Sequence, residues 1–268
     1  MTISEEEIRA TLTYDCDESA LPREIRSRFV RLDLGDEGAE FLRRALATRP
    51  GRAKTAMHRV LRTFVSDFDA NGMLDMYPMH LLGTSQWRTL LGDRLGRHLD
   101  VGAGAGEVTK TLSPLLAETV TTETSRVMAN KLRAQGFRCF EADLAERGVP
   151  DPTYDLVSCL NVIDRCAKPQ TLLERVQTGL SPGGRLVLAT PFPFDPFVYR
   201  GTTSGEPEER LPITRDSWER SVTRLICDVL SPLGLELESV SRVPYLCRGD
   251  ASRPVYVLDD ALVVCRKR

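Results

Sequence analysis

Residues Leu99 to Glu107 read Leu-Asp-Val-Gly-Ala-Gly-Ala-Gly-Glu, a short apolar run that closes on glycines at alternate positions. This stretch constrains the fold most. Gly102, Gly104 and Gly106 allow the backbone to pass close to a ligand at the carboxyl end of a strand. The spacing also excludes two ligands. A dinucleotide fingerprint needs Gly-x-Gly-x-x-Gly; here the third glycine comes one residue early, and Glu107 stands where a small residue belongs. Its charge would face a pyrophosphate, which disfavours a nicotinamide dehydrogenase. No Lys-Ser/Thr pair follows, so this is not the phosphate loop of a nucleoside triphosphatase.

The loop sits in an alternation of strands and helices. Apolar and β-branched runs predict strands over 98–102, 119–123, 137–140, 154–160, 185–189, 235–243 and 255–264. Helical periodicity predicts helices over 108–116, 126–135, 170–180 and 218–233, with Gly136 ending the second. Such alternation implies crossover units and a mainly parallel sheet. No helix is expected between the last two strands, so they pair antiparallel. The expected organisation is an N-terminal helical extension, 1–96, followed by an α/β domain, 97–268. In the extension, residues 20–70 read as helical and Asn71-Gly72 as a turn. Residues 85–91 read as a short helix capped by Thr84 or Ser85.

Acids stand at three successive strand ends: Asp100, Glu123 and Asp143. An adenosyl ligand without phosphates suits this arrangement. In S-adenosylmethionine, Asp100 would face the cationic methionine end, Glu123 the ribose hydroxyls and Asp143 the adenine amine. Glu107 and Glu118 read as ordinary exposed charges. The 36 Lys+Arg and 38 Asp+Glu leave a net charge of −2, which argues against a nucleic-acid partner. No apolar run reaches the ~18 residues that span a membrane. The first 20 residues carry six acids and one base, unlike a secretory or transit signal, so the expected location is cytoplasmic. Seven cysteines without a Cys-x-x-Cys pair read as small buried apolar residues, and three scattered histidines suggest no metal site.

Four segments beyond the glycine loop narrow the reading. They run from Ser158 to Cys166, Pro169 to Leu173, Pro244 to Asp250 and Tyr256 to Asp260. With Asp100 to Lys110, which looks like the nucleotide loop of class I methyltransferases, they resemble the DREV family, the methyltransferase-like protein nine group. The resemblance spans about residues 58–268, with Asp69 to Gly72 as its first segment.

It implies a class I methyltransferase Rossmann-like sheet and S-adenosylmethionine as cofactor, bound through Asp100, Gly102, Gly104, Glu123, Asp143 and Asn161. It implies methylation of protein histidine at Nδ1 (Nπ), in His-x-His sequences with a small residue between. Asp164 is then assigned to the target imidazole and Asn161 to the peptide or the neighbouring histidine. The two are three residues apart after the fourth strand, so one turn can aim both at one ligand. Arg165, Tyr245 and Tyr256 complete the expected substrate site, Tyr256 supplying a hydroxyl or ring wall; Asp250 is a weaker candidate. The glycine loop alone would also allow a methyltransferase of small molecules or of another protein side chain, or a non-catalytic module that binds the cofactor.

Overall fold

The computed structural model describes residues 5–48, 51–93, 95–151, 153–200 and 203–268. Its strands are β1 (Met79–His80), β2 (Leu95–Val101), β3 (Leu116–Glu123), β4 (Arg138–Glu141), β5 (Tyr154–Leu160) and β6 (Leu180–Pro191). They continue with β7 (Val198–Arg200), β8 (Thr203–Gly205), β9 (Leu235–Arg248) and β10 (Val255–Lys267). Eight of them form one sheet in the order β1-β9-β10-β6-β5-β2-β3-β4, and β7 and β8 form a separate ribbon. Strands β2 to β6 run parallel. β10 returns antiparallel to β6, β9 antiparallel to β10, and β1 antiparallel to β9.

The central strands are apolar on both faces, as a sheet covered on both sides requires. In β5, Val157 and Cys159 face one core with Leu186 and Leu188 of β6, while Leu156 faces the other with Val187 and Ala189. Helices α1 (Glu5–Arg9), α2 (Arg23–Arg26), α3 (Gly35–Ala47), α4 (Arg52–Leu61), α5 (Asp67–Leu74) and α6 (Thr84–Leu91) precede β2. Helices α7 (Glu107–Leu112), α8 (Arg126–Ala134), α9 (Leu144–Arg147), α10 (Pro169–Gly179) and α11 (Trp218–Arg224) follow it. The Ser125 hydroxyl caps α8 by accepting from the Met128 N–H, and Gly136 adopts φ +91° beyond its end, as the sequence anticipates. Beyond α11 the chain winds on as a wide π-type turn, Leu225–Leu230, and a 3-10 turn, Ser231–Leu233. Among the described residues no helix is long and apolar enough to cross a membrane.

The first 96 residues differ from the expectation in three respects. They are not strand-free, because β1 pairs with Leu246 and Cys247, and Phe29 bridges in parallel to Val240. Asn71 and Gly72 lie inside α5 rather than in a turn: Ser66 caps that helix, and a Cβ on Gly72 would come 2.8 Å from Val127. α6 begins after Gly83, whose N–H donates to the side-chain Oε1 of Gln86; Thr84 is not the cap but spends its own N–H on Glu37. Of the cysteines, Cys139, Cys159 and Cys265 are buried, but Cys227 is exposed.

Trp87 on α6 is fully buried against Leu112 and Val187, and its indole N–H donates to Thr111 Oγ1 at 3.1 Å. The N-terminal third therefore builds one face of the sheet's core. Trp87→Ala is expected to cost about 3–5 kcal/mol of global stability, read as a shift of a single urea transition. A separate early transition, with the main one unmoved, would instead make this third an independent unit.

Candidate active site

The parallel order reverses beside β2: the chain proceeds to β3 and β4 on one side, then returns to β5 and β6 on the other. The carboxyl ends of β2 and β5 thus flank the crevice where doubly wound sheets bind ligands. The loop after β2 lines it. Gly102, Gly104 and Gly106 take φ of +65°, +57° and +85°, a region that L side chains rarely adopt. A Cβ on Gly104 would meet nothing within 4 Å, so that position opens toward the crevice. A Cβ on Gly102 would lie 2.8 Å from Val162, so the loop packs directly on the segment after β5.

Each of the three acids at strand ends has a distinct role in the apoprotein. Asp100 is buried, and both its oxygens are engaged: Ser158 donates to Oδ1 and Thr109 to Oδ2, each at 2.6 Å. Both oxygens are held because β5 and α7 each supply a hydroxyl to a charge that has left water. Burial, against these two hydrogen bonds, pushes its pKa up to about 6. Behind it, the His98 ring donates from Nε2 to Ser158 Oγ at 2.7 Å, since the Ser158 proton goes to Asp100. Complete burial lowers the pKa of His98 to about 3, so the ring is neutral.

Glu123, also buried, accepts the Gly104 N–H on Oε2 and the Ser125 N–H on Oε1, both at 2.9 Å. It fastens the glycine loop to the end of β3 and keeps lone pairs for a ligand. Asp143 follows β4 and caps α9 through the Ala145 N–H, using one oxygen. Glu107 is not the exposed charge expected from the sequence. It lies half-buried at the start of α7, where burial raises its pKa against the pull of Lys110 and Lys131. Glu118 pairs with Arg97 at 2.9 Å.

After β5 the backbone turns sharply. Asn161 adopts φ +55° and donates its N–H to the Ala189 carbonyl at 2.9 Å. Neither atom of its side-chain amide has a hydrogen-bond partner, although both are buried. Asp164 is 2% exposed. One of its oxygens pairs with Arg165 at 2.7 Å, while the other, Oδ1, is buried without a partner. Burial raises its pKa and Arg165 opposes the rise. Arg165 lies 4.0 Å over the Phe197 ring. Phe197 meets Tyr199 edge-on, and Tyr199 meets Phe68 of α5 in the same way.

Asp260 of β10, to which the sequence reading gave no role, belongs to this group. It is wholly buried; burial and the like charge of Asp164 raise its pKa, while the Asn161 amide and the Arg165 guanidinium, which bear on it without a well-aligned hydrogen bond, oppose the rise. Tyr245 of β9 is buried nearby, its hydroxyl donating to Met79 Sδ at 3.0 Å. Tyr256 stands apart from them: its hydroxyl and that of Tyr77 both donate to Asp250 Oδ2, at 3.3 and 3.2 Å. The structure thus gathers Asn161, Asp164, Arg165 and Asp260, and places Tyr256 with Tyr77 and Asp250. Among the described residues no group of three or more His, Cys, Asp or Glu side chains is arranged to hold a metal ion.

This sheet order, five parallel strands followed by an antiparallel return, is that of a class I S-adenosylmethionine-dependent methyltransferase. The chain belongs to the DREV methyltransferase family, whose model matches residues 13–267 and so begins well before the segments that carry the resemblance. Among curated proteins it is 28% identical, over 160 residues, to a highly reducing polyketide synthase of Phaeosphaeria nodorum. That match takes in 50% of this chain, which spans 6% of the length of that relative. Among solved structures it resembles the N-methyltransferase NodS of Bradyrhizobium japonicum bound to S-adenosyl-L-homocysteine. That likeness has 15% identity and TM-score 0.44, covering 69% of this chain and 85% of that one. A TehB-like SAM-dependent methyltransferase of Corynebacterium glutamicum gives 17% identity and TM-score 0.47, covering 69% and 88%.

The buried charge of Asp100 has a measurable consequence. Its pKa is raised on folding, so the folded state holds the proton more tightly and this group's contribution to stability falls as pH rises from about 4 to about 6. Asp100→Asn is therefore expected to raise the thermal midpoint of the cofactor-free protein more at pH 8 than at pH 5. The gain at pH 8 is bounded by about 3 kcal/mol. An equal or opposite change at the two pH values would contradict it.

Proposed function

We propose that the protein transfers a methyl group from S-adenosylmethionine to Nδ1 (Nπ) of histidine in protein or peptide substrates carrying His-x-His. The observation that carries this reading is Asp164: a buried carboxylate with one oxygen on Arg165 and the other unpartnered, beside an unpartnered Asn161 amide. The resemblance of the Ser158–Cys166 segment to the DREV family supports the same assignment.

S-adenosylmethionine supplies an electrophilic methyl on a sulfonium. In this crevice Glu123 is suited to the ribose hydroxyls, Asp143 to the adenine amine, and the open face of Gly104 to close backbone approach. Asn161 borders both ligands. Asp100, its oxygens already engaged, acts on the cationic methionine end through its charge. The crevice fits such a ligand because its acids stand at successive strand ends.

A neutral imidazole, with a pKa near ~6.5, is nucleophilic without a strong base. The site's task is to choose the attacking nitrogen. Asp164 Oδ1 accepts the Nε2–H of the target ring, which leaves the Nδ1 lone pair free. As the N–C bond forms and the C–S bond breaks, the ring becomes cationic and the same carboxylate stabilises it, as the buried acid of a catalytic triad does for its histidine. The Nε2 proton then leaves to Asp164 and on to solvent. Arg165, held by Asp164 and Phe197, fixes the carboxylate's orientation, and burial excludes water from the reacting atoms. Tyr245 walls the site. Tyr256, with Tyr77 and Asp250, offers a polar rim for the flanking peptide.

With S-adenosylmethionine and a His-Ala-His peptide, a gain of one methyl mass is expected, and amino-acid analysis should identify the Nπ isomer. No gain, or the Nτ isomer, would refute the reading. Asp164→Ala is expected to lower turnover by at least about a hundredfold while S-adenosyl-L-homocysteine binding by calorimetry stays within about threefold. Two ionisations shape the pH profile. Asp164 must be charged and its pKa lies above the usual 3.8, while the substrate ring must be neutral. Both losses of a proton favour reaction, so kcat/KM should climb with pH and level off above about 7.5.

A further inference from the structure

Two consecutive residues in the first turn of α5 reach opposite halves of the site. Asp69 turns to the cofactor half. The Ser125 hydroxyl donates to Asp69 Oδ1 at 2.5 Å, and the Ser125 N–H donates to Glu123 Oε1 at 2.9 Å. Glu123 in turn holds the Gly104 N–H. The Ser66 hydroxyl donates to the other oxygen of Asp69 at 2.8 Å and accepts the Asp69 N–H at 3.1 Å. Phe68 turns to the substrate half. Its ring meets Tyr199 edge-on with centroids 5.5 Å apart, and Tyr199 meets Phe197 in the same way at 5.2 Å. The Phe197 ring carries Arg165 over its face, and the Phe197 N–H donates to the Asp164 carbonyl at 3.1 Å.

We propose that the first turn of α5 is a bridge that couples the two halves, with Asp69 a positioning residue for the cofactor acid Glu123 and Phe68 a positioning residue for the substrate acid Asp164. The helix is seated firmly on the cofactor side. Gly72 lets α5 close on Val127 and Met128 of α8, and Lys131 of α8 pairs with Asp75 at its end. α5 therefore moves with α8 and with the end of β3 that carries Glu123. The other arm is lighter. It consists of edge-to-face ring contacts, which are favourable over a narrow range of geometry, and Phe68 keeps part of its ring in solvent. The bridge thus opens at Phe68 and Tyr199 before it opens at Asp69 and Ser125.

The consequence is an order of events, and it rests on the assignment above of Glu123 to the cofactor and Asp164 to the substrate. A ligand on Glu123 favours the joined arrangement, because the residue whose N–H holds Glu123 is the one whose hydroxyl holds Asp69. With Asp69 fixed, Phe68 presses on Tyr199, and the segment that backs Arg165 and Asp164 is held in turn. Cofactor then raises the affinity for substrate, and substrate raises that for cofactor by the same factor. The target ring meets an oriented carboxylate when the methyl donor is already in place.

Amide hydrogen exchange of the full chain reads the far arm without any substrate. Saturating S-adenosyl-L-homocysteine is expected to slow exchange of the Phe197 amide by at least about fivefold in wild type. Phe68→Ala should lose that slowing; the Phe68 ring is 38% exposed, so its truncation leaves no core cavity. Asp69→Ala should lose it too, at a ligand concentration that saturates the variant, and should bind S-adenosyl-L-homocysteine about tenfold more weakly by calorimetry. Asp69→Asn, which still accepts from the Ser125 hydroxyl, should stay within about twofold of wild type in both measurements. No slowing in wild type, slowing retained in Phe68→Ala, or Asp69→Asn as impaired as Asp69→Ala overturns the proposal. Exchange as expected, with wild type inert toward the His-Ala-His peptide, sustains the bridge and rejects the histidine reading. Methylation of the peptide, with Phe197 exchange indifferent to S-adenosyl-L-homocysteine, does the reverse.

Discussion

The buried carboxylate of Asp100 is the joint on which the site depends. Ser158 reaches it from β5 and Thr109 from α7, so one charge ties the first strand of the parallel core to its neighbour and to the first crossover helix. His98 backs the arrangement by donating to Ser158. With β2 and β5 held in register, the Gly102–Gly106 loop and the Asn161–Asp164 segment leave the sheet side by side. Val162 then fills the space against Gly102 that a Cβ would claim. The glycine loop and the segment after β5 are in this way two edges of one packed unit.

A chain with a net charge of −2 keeps a few of its acids where water is scarce. Asp100, Glu123, Asp164 and Asp260 are all buried, and burial is the largest cause of the upward pKa shift in each. Hydrogen bonds from backbone N–H groups offset the cost at Glu123, and hydroxyls do so at Asp100. Asp164 has a guanidinium. Asp260 has the Asn161 amide and, at more remove, the same guanidinium.

Much of this was legible beforehand, and the limits have physical causes. The β5 boundaries, 154–160, match the sequence expectation because both faces of that strand are apolar and Asn161 ends it at once. The glycine loop was legible because alternate positive φ values demand alternate glycines. β1 was not, because a two-residue strand leaves no periodicity; its pairing is supplied by β9. Gly72 suggested a turn, yet it serves as a notch in α5 that admits Val127. The place of Asp260 beside Asn161 was hidden for a related reason. It lies about a hundred residues from Asn161, and local pattern carries no signal for a contact made across β6. Tyr256, in the same segment, was expected among the substrate residues; its pairing with Tyr77 and Asp250 left no local signal.

The long strand β9 would present its outer backbone to solvent if nothing lay beside it. Met79–His80 covers one end, at Leu246 and Cys247. Arg28 and Val30 exchange backbone hydrogen bonds with Val240 further along, and Ser241 donates its hydroxyl to Val30. At the opposite margin β4 is only four residues long, and Arg133 covers the Cys139 carbonyl. Exposed strand margins template pairing between molecules, and proteins blunt them with short strands, charges or covering chain. The N-terminal third thus covers the sheet twice over, closing the margin of β9 with backbone and one face of the core with Trp87.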